Sequence, residues 1–328
     1  MSKLHLIAVQ QRLDPQDFTS EDAFVSKIDA LMQAATAGIS EGDKLIAFPE
    51  ALALPLLFAD ANVLTQKTAG GAFRTWFVQN WRALVKELWR GPSSVLFPHA
   101  LAAERIYRQT FAEAARRYNA TIVAGSGFLP TIDHEPSRGW HLTEPLLRRC
   151  IYNFTYTFAP SGTRLGITGK QQVTTLEQRL GIKPSKHPPQ VMTTPCGKLG
   201  VTICLDGFYD GIISHLDGLG AQVIVQPSAN YALWDGPWTA NARTNQNLRE
   251  GEAWLRYGLA HTIQHRTHIR YGLNPMLVGG LWGMRAEGRS SIVANIHHPH
   301  NKHLDDPLLA IAPTPYDETF VRATVTLE

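Results

Sequence analysis

Three short apolar runs in this chain each stop at one reactive polar side chain. Leu45-Ile46-Ala47-Phe48 stops at Pro49-Glu50, Leu165-Gly166-Ile167-Thr168-Gly169 at Lys170, and Gly200-Val201-Thr202-Ile203 at Cys204. Runs this short, bounded by Gly or Pro, predict buried strands rather than helices. Where neighbouring strands run parallel, their ends gather at one edge of the sheet, and open α/β folds bind ligands there. The pattern therefore predicts an α/β chain that brings a carboxylate, an ammonium and a thiol to one place.

The remaining periodicity supplies the partners such a sheet needs. Leu4–Gln10 alternates as a strand, and residues 22–38 predict a helix with Val25, Ile28, Met32 and Ala35 on one face and Gly38 at its stop. Residues 100–118 predict a second helix, with Tyr107, Phe111, Ala114 and Tyr118 on one side. Strands are expected at 44–48, 121–125, 199–203, 223–226 and 269–273, and helices at 210–216 and 249–265. Tyr152 to Phe158 alternates as an aromatic strand, and the turn Pro160-Ser161-Gly162 returns the chain toward Lys170. Phe320, Arg322 and Thr324 alternate with Val321, Ala323 and Val325 in a last strand. Gly279-Gly280-Leu281-Trp282-Gly283 lacks the spacing of a dinucleotide fingerprint and reads as a loop.

A net charge of +3 without any Lys/Arg cluster gives no electrostatic footprint for nucleic acid. Cys150, Cys196 and Cys204 form an odd set without metal-ligand spacing, which suits a reducing compartment. The apolar stretch 45–59 carries Glu50 and two prolines and cannot span a bilayer, and the start of the chain has no signal-peptide run. His297, His298, His300 and His303 surround Pro299 without helical zinc-pair spacing and read as a solvated loop. The expectation is a cytoplasmic chain of one domain, 1–328, with no cofactor, no metal, no membrane partner and no nucleic acid.

At these residues the chain resembles the nitrilase superfamily of carbon–nitrogen hydrolases. Phe48-Pro49-Glu50 is similar to its glutamate motif, Lys170 with Leu176-Glu177 to its lysine motif and supporting glutamate, and Gly197 through Asp206 to its cysteine motif. The order Glu, Lys, Cys is the family's order, and weaker matches run from Leu6 to Val325. The resemblance implies a four-layer α-β-β-α sandwich, a homodimer or larger homo-oligomer, and a small-molecule amide or nitrile substrate.

The resemblance also implies roles. Cys204 would attack the amide carbon and form a thioester, splitting one hard step in two. A free thiol titrates near ~8.5, so it needs a base; Glu50 fills that role and then serves the leaving ammonia and the hydrolytic water. Lys170 and the backbone N–H of Leu205 are the expected oxyanion partners, and Glu177 the support for Lys170. Cys204-Leu205-Asp206 is closer to the Cys-Tyr-Asp of amidases and carbamoylases than to the Cys-Trp-Glu of nitrilases. An amidase acting on a small amide or N-carbamoyl compound is therefore the first reading. A nitrilase is the second, and a non-catalytic metabolite- or partner-binding relative the third.

Two segments depart from the family pattern. An inserted helical segment, about 55–100, carries Phe73, Trp76, Phe77, Trp81, Leu84, Leu88 and Trp89 at helical spacing. Packing on the core explains such a face by itself, whereas the functional expectation makes it a pocket wall or a subunit contact, with Trp76 and Trp81 as the pocket candidates. Residues 237–248 delay a later helix, where Gln264-His265 replaces the family's Glu-Asn. Gln264 and Asp206 are accordingly expected near the substrate, and about 297–328 is expected as a C-terminal tail.

Overall fold

The computed structural model describes residues 3–85, 92–130, 132–135, 139–142, 151–238 and 248–327. Two mixed sheets form the centre. One runs Thr319–Val325, Leu4–Gln10, Asp43–Ala47, Thr121–Val123, Tyr152–Phe158, Gly127–Leu129, and Arg164–Gly169 also pairs with Tyr152–Phe158. The other runs Val191–Thr194, Gly197–Val201, Val223–Val225, Tyr271–Asn274, Ser291–Ala294, Leu308–Ile311. Each sheet has a parallel heart: Leu4–Gln10, Asp43–Ala47 and Thr121–Val123 in the first, Gly197–Val201, Val223–Val225 and Tyr271–Asn274 in the second.

Strand side chains alternate between two faces, so each strand feeds two cores. Leu6, Ala8, Leu45 and Ala47 meet Leu199, Val201, Val223 and Val225 in a core between the sheets. Their neighbours Ile7, Val9 and Ile46 point the other way, onto the helices Glu21–Thr36 and Pro92–Tyr118. Ile224 and Val293 do the same in the second sheet, against Ile213 and Leu216 of the helix Asp210–Gly218 and Leu259 of the helix Leu259–Thr262. Helix, sheet, sheet and helix thus stack as four layers, as the resemblance implied.

Several boundaries differ from the sequence expectation. Val25 is 41% exposed and Phe24 is buried in its place, because the apolar stripe lies one residue back around the helix. The helix expected at 249–265 breaks into Glu250–Tyr257 and Leu259–Thr262 at Gly258, where the backbone turns extended and a side chain would meet Trp254 O at 2.3 Å. The expected loop at Gly279–Gly283 is instead a hairpin: Val278–Leu281 pairs with Met284–Ala286. Its two turn residues, Trp282 and Gly283, both have positive φ, the conformation a tight two-residue hairpin turn requires.

The inserted segment forms a turn at Leu54–Phe58, a short helix at Ala61–Leu64 and a longer one at Ala69–Val85. Trp76 is buried there against Val63, Ala72 and Phe58. Leu88, Trp89, Cys150 and residues 239–247 lie outside the described residues. Among the described residues no helix is long and apolar enough to cross a membrane.

Candidate active site

Glu50 follows the strand Asp43–Ala47 in a turn pinned from the next strand. Phe48 N donates to Val123 O at 2.9 Å, Ser126 N to Pro49 O at 3.2 Å, and Ala51 N to Ser126 Oγ at 3.1 Å. Gly125, at φ 73°, lets the two chains approach; a Cβ there would stand 2.2 Å from Pro49 O. Lys170 leaves the strand Arg164–Gly169 with its N–H bonded to Asn153 O at 2.8 Å and its C=O accepting from Ser185 N at 2.8 Å.

Cys204 comes from the other sheet. Its strand ends at Val201 rather than at the cysteine, and Cys204 opens a one-turn 3-10 helix with φ 50°. Left-handed backbone is strained for a non-glycine residue. Three ties hold it: Cys204 N donates to Pro227 O at 2.8 Å, Gln226 Nε2 donates to Cys204 O at 2.7 Å, and Gly207 is pressed on Gln226 so closely that a Cβ would lie 2.3 Å away.

The side chains of Glu50, Lys170 and Cys204 meet that of Glu177 in a buried cluster. Lys170 Nζ lies 2.7 Å from Glu50 Oε1 and 3.0 Å from Glu177 Oε2. Asn153 Nδ2 donates to Glu50 Oε1 at 2.8 Å and to Glu177 Oε1 at 2.7 Å. Ala229 N donates to Glu50 Oε2 at 3.1 Å, and Ala229 O accepts from Cys204 Sγ at 3.8 Å, so this one peptide segment faces both side chains. Glu177 is fixed by a capping box, its carboxylate accepting from Thr174 N at 2.7 Å.

The protonation states follow from these neighbours. Burial lowers the Lys170 pKa, but Glu50, Cys204 and Glu177 outweigh it and hold the ammonium above its ordinary range. Burial raises the Glu177 carboxyl, but Lys170 and the donors from Thr174 and Asn153 bring it below the usual value. Burial, with Glu50 beside it, pushes the Cys204 thiol well up against the pull of Lys170. The resting cluster thus sets the Lys170 ammonium against the Glu177 carboxylate, beside a neutral Cys204 thiol.

These groups lie at one end of a cavity of about 390 Å³ that also takes in Phe58, Phe73, Phe128, Tyr231 and Trp282. The other expected site residues sit elsewhere. Asp206 is buried and accepts from Gln171 N and Gln172 N at 3.0 and 2.7 Å, so it ties the cysteine turn to the lysine loop instead of lining the cavity. Burial raises its carboxyl to about 6 against the pull of those two N–H donors. Gln264 is bonded to Ala260 O, Ala294 O and Ile296 N, a bolt between helix and second sheet away from the cavity. Trp76 stands behind Phe58, and Trp81 is half-exposed on the outer side of its helix. The wall from that helix is Ala69, Ala72 and Phe73. Leu205 follows Cys204 in the turn.

Sequence reasoning missed Asn153, Ala229 and Tyr231. Asn153 had a readable signal: it is an amide within an aromatic strand in which every residue is buried. Among the described residues no His, Cys, Asp or Glu group could hold a metal ion.

The fold and the amino-acid pattern define a class: the chain matches the carbon-nitrogen hydrolase family over residues 6–253 and belongs to it. No curated protein matches it by sequence. In structure it is similar to a carbon-nitrogen hydrolase from Helicobacter pylori G27, with TM-score 0.62 and 14% identity over 99% of this chain and 89% of that one. It is also similar to an amidase from Nesterenkonia sp. AN1. A variant of that amidase in complex with butyramide gives TM-score 0.59 at 15% identity, covering 99% and 90%. Another variant, with the acetamide moiety of fluoroacetamide added covalently at its active-site cysteine, gives 0.58 at 16%, again covering 99% and 90%. At these identities the likeness is one of fold.

Proposed function

We propose that this carbon-nitrogen hydrolase is an amidase that works through Cys204, Glu50 and Lys170. The observation that carries the reading is the position of Glu50: one carboxylate oxygen is held by Lys170 and Asn153, and the other accepts from the N–H of Ala229, whose carbonyl accepts from Cys204 Sγ. A carboxylate so placed takes the thiol proton as the sulfur attacks the amide carbon. The oxyanion develops beside the Lys170 ammonium, with the Leu205 N–H as second donor. The C–N bond breaks as Glu50 returns the proton to nitrogen, and ammonia or an amine leaves a thioester. Glu50 then draws a proton from water, the hydroxide adds, and the C–S bond breaks to give the acid and the thiol. Glu177 holds Lys170 in place.

Three coarser expectations join this proposal: one catalytic domain over 1–328, a cytoplasmic location and a homo-oligomer. The amidase name of that structural relative, and the butyramide bound to one of its variants, support the choice of amide over nitrile. The test is ammonia release from matched amides and nitriles by the wild type and by Cys204→Ala. Release from amides that vanishes in the variant supports the reading. Release only from nitriles replaces it with a nitrilase, and no release from either class overturns it.

A further inference from the structure

We infer that the substrate of this site carries an uncharged, bulky apolar acyl group, an aryl ring or a medium-length alkyl chain. The inference rests on the amidase reading for its chemistry but on separate observations for its content. Beyond the reactive cluster the cavity wall is apolar: Leu54, Phe58, Phe73, Phe128, Leu180 and Trp282 supply most of it. Apolar walls of this kind, with a few convergent polar groups at one end, suit ligands that bury hydrocarbon.

The wall is also held in shape. Trp282 Nε1 donates to Val63 O at 2.9 Å, and Phe58 stacks edge-on against both Trp282 and Trp76. Phe73, Leu176 and Leu180 are 56%, 51% and 39% exposed, and all three line this cavity. Exposed apolar side chains gathered at one opening, unlike scattered ones, mark a surface that meets hydrocarbon.

A charged acyl group is disfavoured by the same walls. Among the described lining residues the one cation is Lys170, and Glu50 and Glu177 already occupy it. A substrate carboxylate in the apolar part would lose water without gaining a free cation among the described lining residues. Glu50, which would protonate the leaving nitrogen, is held among Asn153, Lys170 and the Ala229 N–H, so among the described residues the amine side is the polar one. The hydrocarbon is therefore placed on the acyl side, and N-carbamoyl amino acids are expected to be poor substrates.

The test is kcat/KM for primary amides from acetamide to octanamide, with phenylacetamide, the monoamide of glutaric acid, and N-methyl- and N-hexylacetamide. The expected gain is about fourfold per methylene until the cavity fills. Hexanamide should exceed the glutaric monoamide at least about a hundredfold, and N-hexyl should gain nothing over N-methyl. Phe73→Ser should cut the octanamide-to-acetamide ratio about tenfold. In parallel, Cys204→Ala is titrated with the same amides by calorimetry, with Kd expected to fall along the series. If affinity climbs with chain length but nothing is turned over, the catalytic reading fails and the apolar acyl pocket stands. Flat affinities and rates across the acyl series, preference for the carboxylate, or a gain on the amine side would overturn the inference.

Discussion

Asn153 and Lys170 donate to the same oxygen of Glu50, at 2.8 and 2.7 Å, and both also hold Glu177. Two carboxylates are thus bridged by one amide and one ammonium, all buried. Charge-assisted bonds are the stronger kind, and burial makes a missing donor costly. Asn153→Ala is expected to lower stability by about 3 kcal/mol, read from urea unfolding, and to reduce kcat/KM for amides at least about tenfold. Wild-type stability in this variant would show that the amide bridge contributes nothing.

Lys170→Met should remove activity and cost about 3–5 kcal/mol, because it leaves buried carboxylates without their cation. The sign with pH follows from Glu177. Its carboxyl is lowered in the folded wild type, so its contribution is complete above the usual value of 4.5 and is lost as pH falls through the folded value. The stability gap between wild type and Lys170→Met should therefore be wide at pH 8 and narrow toward pH 4. A gap that is constant with pH would separate Lys170 from Glu177.

Glu50→Gln should make the thiol more acidic while abolishing turnover. Burial and the Glu50 carboxylate raise the Cys204 thiol, and Lys170 opposes them. With the carboxylate gone the midpoint for iodoacetamide alkylation at Cys204 should move to lower pH, while amide hydrolysis drops about 10²–10⁴-fold. An unmoved midpoint would mean that Glu50 does not act on the sulfur.

Asp206→Asn leaves one of two partly buried N–H groups, Gln171 or Gln172, facing a donor, at a cost of about 1–3 kcal/mol. The folded carboxyl is raised to about 6 from 3.8, so its own contribution is largest in acid and declines as pH rises through that window. The wild-type advantage over Asp206→Asn should shrink between about pH 4 and pH 6.

Trp76→Ala should cost about 3–5 kcal/mol, since its ring fills a core between Phe58 and Val63. Trp81→Ala should stay within about 0.5 kcal/mol, since half of that side chain is in solvent. Thermal unfolding of the two variants separates them.

The pair of tryptophans shows what the sequence could carry. Spacings of three and four announced the helix, but only tertiary neighbours decide which side of it meets Phe58 and which meets water. Phe24 and Val25 differ for the same reason: adjacent helical positions both border the stripe, and the sheet underneath selects one. Glu50, Lys170 and Cys204 stood out because each ends an apolar run, but the expected single edge of parallel strands is not what joins them: Lys170 follows an antiparallel strand and Cys204 follows a strand of the second sheet, so the face-to-face packing of two sheets brings the three together. Asp206 and Gln264 were misplaced because a polar residue beside a reactive one looks the same whether it faces a ligand or a backbone N–H. The cavity wall was least visible, being assembled from residues as distant as Leu54 and Trp282.

The Cys204 turn, with its left-handed backbone and its tight fit of Gly207 on Gln226, leaves little sequence freedom around that cysteine. The apolar wall comes from other pieces of chain, a surface helix and a hairpin tip, which can change shape without disturbing that turn. Divergence in this protein would thus be modular: the cavity wall can be reshaped by exchange at Ala69, Phe73 or Met284 while the Cys204 turn is inherited intact.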